Sequence, residues 1–135
     1  MSEQSKVDLT QKEDLSLAVI NLISIEEHLA FTSMKTGKTE YLEVLNAVRK
    51  MRVKLMKTLV KNTEGELWCI SKHLLSTTMR LMETATKYVD SDSKKAMEFE
   101  KHAFDVYRLF WFLQEVGEKN VGRVKSQNHK VENKA

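Results

Sequence analysis

A chain of 135 residues, 41% hydrophobic and 30% charged, is one domain's worth of sequence with enough apolar content for a core. Its net charge of +3 is mild, and its single cysteine, Cys69, excludes an intramolecular disulfide and suits a reducing compartment. Polar residues break the apolar stretches within a few positions, and the first twelve residues lack the apolar block of a secretory signal, so a cytoplasmic protein with no membrane partner is expected.

Residues 1–10 read as a polar arm. The first helix is expected from about Gln11 to Lys35, where Thr10 and Glu13 have capping-box spacing and Gly37 follows the end. The second runs from about Glu40, behind a candidate cap at Thr39, to Lys61. A turn at 62–65 ends in Gly65, and the third helix runs from about Glu66 to Val89. Asp90, Ser91, Asp92 and Ser93 form a loop rich in capping residues. The fourth helix is expected from about Lys94 to Val116, stopping at Gly117. With no proline anywhere, nothing breaks these patterns internally.

Apolar residues recur at steps of three and four: Leu67, Ile70, Leu74, Thr77, Leu81, Thr84 and Tyr88 on the third helix, and Ala96, Phe99, Ala103, Val106, Phe110 and Leu113 on the fourth. Short connections between helices of roughly 33 to 38 Å predict an all-α, antiparallel up-down-up-down four-helix bundle over 11–117. Residues 118–135 read as a basic, flexible tail without an apolar period.

Two helices carry more apolar surface than one seam uses. Trp68, Leu75, Met79 and Met82 form a second line on the third helix, and Met97, Phe104 and Trp111 one on the fourth. A wide core contact explains them; so does a subunit interface, for which Trp68, Leu75, Met79, Met82, Phe104 and Trp111 are the candidate residues. A homo-oligomer, or an adaptor that offers this surface to a protein partner, is one expectation.

The other expectation comes from charge. Between Val44 and Thr63 no acidic residue occurs, while Arg49, Lys50, Arg52, Lys54, Lys57 and Lys61 do. At 100° per residue Lys50, Lys54, Lys57 and Lys61 project in nearly one direction, a stripe able to neutralise a phosphate backbone. Arg49 lies beside it, and Arg123 and Lys125 in the tail would extend it. An ordinary solvated face, with lysines complementing the helix dipole, is the competing explanation. No aromatic residue interleaves, so base stacking is not expected there. Arg52 falls instead on the inward side with Leu45, Val48, Leu55 and Leu59. Glu26 interrupts the line of Leu15, Ala18, Leu22 and Leu29, so the two predict a buried pair that fixes register.

Catalytic patterns are weak. Cys69 and His73 are four apart on a helix and could activate a thiolate, but a small thiol beside a surface histidine is the simpler account. The Glu-x-x-His pairs of di-iron bundles are absent, since Ile25, Ile70 and Phe99 precede His28, His73 and His102 by three. His28 with Glu98 and His102 is a remote metal candidate. The Arg-x4-His pattern of helical toxin nucleases fails at Arg80 and Arg108, and no Gly-rich phosphate loop occurs. The expectation is a non-enzymatic protein with no metal and no cofactor, which binds nucleic acid, RNA in the first instance.

In size, helix count and the basic second helix, the chain resembles the small bundles encoded in ribosomal RNA intervening sequences and their relatives, the accessory variability determinants of diversity-generating retroelements. The resemblance is architectural and covers residues 11–117. It implies a four-helix bundle that assembles in rings and binds nucleic acid through basic surfaces, and it carries no functional residue over.

Overall fold

The computed structural model describes the backbone of residues 3–62 and 65–134, and the side chains of 11–62 and 65–117. These residues form four helices and no strand: α1 (Glu3–Thr36), α2 (Glu40–Met56), α3 (Glu66–Thr86) and α4 (Ser93–Lys134).

Three boundaries differ from the sequence expectation. α1 starts at Glu3, so the Thr10–Glu13 capping pattern lies inside a helix; neither glycine nor proline stands between residues 3 and 10 to stop it. α2 ends at Met56 rather than near Lys61. Its last turn tightens through bonds from the Thr58 and Leu59 amides to the Leu55 and Met56 carbonyls, and the Thr58 hydroxyl also donates to Leu55 O at 2.6 Å. That turn leaves the helical stripe and brings Leu59 and Val60 into the core. α4 passes through Gly117 and continues to Lys134 as helical backbone, over the stretch where a tail is expected.

Gly117 has a different use. It is buried where α4 crosses the start of α3, and a Cβ there would fall inside the contact distance of Leu67 Cδ2. The glycine permits close helix approach. Gly37 does terminate its helix: its φ is +70°, and its amide bonds back to Ser33 O at 2.8 Å. Asp92 caps α4 by accepting from the Lys95 amide at 3.1 Å. Thr39 makes no side-chain cap bond to α2.

α1 and α2 form one packed pair across a three-residue link, and α3 and α4 form the other. Tyr88 stacks on Phe99, Gln114 donates to the Ser71 hydroxyl at 2.9 Å, and Gly117 meets Leu67, so α3 and α4 lie together along the length of α3. The two pairs join through α1, which rests on α3. Among the described residues no Cα of α2 comes within 8 Å of one in α3 or α4.

The core gathers Val19, Ile20 and Ile23 of α1, Met56 of α2, Leu59 and Val60 of the following turn, Leu75 of α3 and Phe110 of α4. Trp68, Met79, Tyr107 and Trp111 pack around it. Two polar bridges fix α1. The Ser16 and Tyr107 hydroxyls share a hydrogen bond of 2.6 Å. Arg52, 1% exposed, grips Glu26 with both arms of its fork, Nε to Oε2 at 2.8 Å and Nη2 to Oε1 at 3.0 Å, which is the pair the interrupted apolar lines predict.

Candidate nucleic-acid interface and apolar groove

α2 packs mainly on α1 and sends Met56 into the core, which leaves its outer surface open. Arg49, Lys50, Lys54, Lys57 and Lys61 are all exposed. Among the described residues none of the five forms an ion pair; the two ion pairs there are Arg52–Glu26 and Arg80–Glu27. Lys50, Lys54 and Lys57 form the continuous stripe, about 10 Å long at 1.5 Å per residue, with Lys57 at the C-cap of α2 and still in helical conformation. Lys61 does not belong to that stripe. It follows the tight turn, so its direction is set by the descent of Leu59 and Val60 into the core. The acidic residues of α2, Glu40 and Glu43, sit in its first turn, at the opposite end. The side chains of Arg123 and Lys125 lie outside the described residues.

The six candidate interface residues divide. Leu75 is 0% exposed and sits inside the core, so it cannot face a second subunit. Trp68, Met79 and Trp111 are half-buried against that core. The reason is the position of α1: the second apolar line of α3 is the face α1 covers. Only Met82 and Phe104 remain open, with relative exposures of 36% and 54%.

These two join Met97 of the same second apolar line and residues that belong to no such line. Leu17, Thr78, Met82, Met97, Phe104 and Tyr107 line a shallow groove of about 570 Å³ where α1, α3 and α4 converge. Glu100, Lys101 and Asp105 rim it. Arg108 lies 4.5 Å above the Phe104 ring as a cation–π partner. Leu17 could not be found from sequence, because it stands off the apolar line that α1 turns inward.

Cys69 and His73 are both exposed, and the described residues hold no cluster of three or more His, Cys, Asp or Glu that could bind a metal; His28, Glu98 and His102 do not form one. Within α1, the segment Gln11–Thr36 holds an 18-residue window, of mean hydropathy 1.3, long and apolar enough to cross a membrane by length and composition alone. Ser16, Asn21, Ser24, Glu26, Glu27 and His28 interrupt it, as expected from the sequence. In the fold this stretch supplies Val19, Ile20 and Ile23 to the core and Glu26 to the ion pair.

No family model, curated protein or solved structure matches this chain.

Proposed function

We propose that this chain is a non-enzymatic helical protein of the cytoplasm that binds the phosphate backbone of nucleic acid, RNA first, through the outer face of α2. The observation that carries the reading is the set of five exposed cations, Arg49, Lys50 and Lys54 on α2, Lys57 at its C-cap and Lys61 beyond the following turn, none paired with a carboxylate among the described residues. Unpaired ammonium groups in water release counterions from a polyanion without first breaking an ion pair. Contact would be directed at backbone and shape, because no aromatic residue stands among these lysines. The basic residues of 118–135, Arg123 and Lys125 among them, would add to the same attraction as a polar extension. In this reading the helices alternate up and down; the pairs Tyr88–Phe99, Ser71–Gln114 and Leu67–Gly117 support antiparallel packing of α3 and α4.

The test is binding of random-sequence single-stranded RNA and of duplex DNA at low salt, for the wild type and for a variant carrying Lys50→Glu, Lys54→Glu and Lys57→Glu. Binding that the variant abolishes, with its helical circular dichroism intact, supports the reading; a wild type that binds neither polymer ends it.

A second reading, an adaptor for another protein, draws on a different observation. Leu109 and Phe112 are large apolar residues of α4 that remain more than half exposed. An aspartate at Phe112 that removes a co-purifying partner while leaving RNA binding unchanged would favour it.

A further inference from the structure

Where α1, α3 and α4 converge, Met97 and Phe104 stand outward on α4 one heptad apart, 58% and 54% exposed, with Met82 of α3 and Leu17 of α1 beside them.

We propose that a second copy of this chain covers this face, so that α4 packs against its two-fold mate in an isologous dimer. Such an interface presents one patch to itself, so the patch must carry both charge signs in order to attract rather than repel its copy. This one does. Glu100 and Asp105 alternate with Lys101 and Arg108 around Met97 and Phe104, and among the described residues none of the four charges is taken up in an ion pair. A uniformly basic patch would instead suit an acidic partner, and a wholly apolar one a lipid surface. Phe104, held by Arg108 on one side, is the aromatic anchor, and the thioethers of Met82 and Met97 adapt to the ring it inserts. The proposal does not depend on nucleic-acid binding by α2, and its test contains no nucleic acid.

Light scattering of the purified full chain at micromolar concentration should give twice 15.7 kDa. Phe104→Asp should yield a monomer with unchanged helical circular dichroism, since the ring is exposed. Two further variants make the test independent of that substitution. Glu100→Lys with Asp105→Lys makes the patch basic; Lys101→Glu with Arg108→Glu makes it acidic. Each alone should dimerise at least about tenfold more weakly, and an equimolar mixture should recover a one-to-one dimer. A monomeric wild type, an assembly that Phe104→Asp leaves intact, or a mixture no tighter than its components overturns the proposal.

Discussion

Glu26→Ala is the substitution whose cost the structure defines most closely. Arg52 is 1% exposed, and Glu26 engages both Nε and Nη2. Its remaining neighbour, Met56 Sδ at 4.0 Å from Nη1, is a weak acceptor and cannot replace a carboxylate. Removing Glu26 therefore strands a guanidinium that cannot shed its proton, at a cost of about 3–5 kcal/mol. A domain of this size is stable by about 5–15 kcal/mol, so the variant loses about a fifth of its margin or more. With a urea slope of about 2 kcal/mol/M, the midpoint should fall by roughly 1.5–2.5 M. The double variant Glu26→Leu with Arg52→Met removes both charges and fills the space with apolar atoms. It should recover most of the loss, because breaking a buried pair costs far more than replacing it. A midpoint for Glu26→Ala within about 0.3 M of wild type, or a double variant no better than the single, would refute the reasoning.

Other substitutions separate core from surface. Leu75→Ala should cost about 2–5 kcal/mol by denaturation, while Met82→Ala on the same apolar line should cost under about 1 kcal/mol; equal costs would contradict the division of that line by α1. Gly117→Ala should lose about 1–3 kcal/mol through overpacking on Leu67, and Leu67→Ala in the same chain should relieve part of it, read as a non-additive cycle. Gly37→Ala should cost about 1 kcal/mol in thermal melts, the penalty for a Cβ at φ +70°.

What could be read from the sequence, and what could not, follows from whether the signal was local. The helices themselves were legible because a 3.6-residue apolar period needs no knowledge of neighbours. The Arg52–Glu26 pair was also legible, since each is a lone charge on an otherwise apolar line and the short link at Gly37 sets the two lines side by side. Gly117 was misread because a glycine that stops a helix and one that admits another helix look alike until Leu67 is placed opposite. Leu75 was ambiguous for a related cause: a second apolar stripe needs a covering element, and nothing in the stripe says whether α1 or another subunit supplies it. α2 was given one turn too many because Leu59 and Val60 continue the apolar pattern while the backbone tightens beneath them. Met82, Met97 and Phe104 of the groove stood out as a second apolar line, but Leu17, Thr78 and Tyr107 did not, because their convergence depends on how three helices meet.

The central functional claim is that the cations of α2 meet phosphates, and the salt dependence of RNA binding tests it most directly. For a single-stranded polymer each neutralised phosphate contributes about −0.7 to the slope of log affinity against log salt. Five engaged cations predict a slope of about −3.5, and Lys50→Glu, Lys54→Glu and Lys57→Glu together should make it shallower by about 2. A slope that the triple variant leaves unchanged would contradict the account.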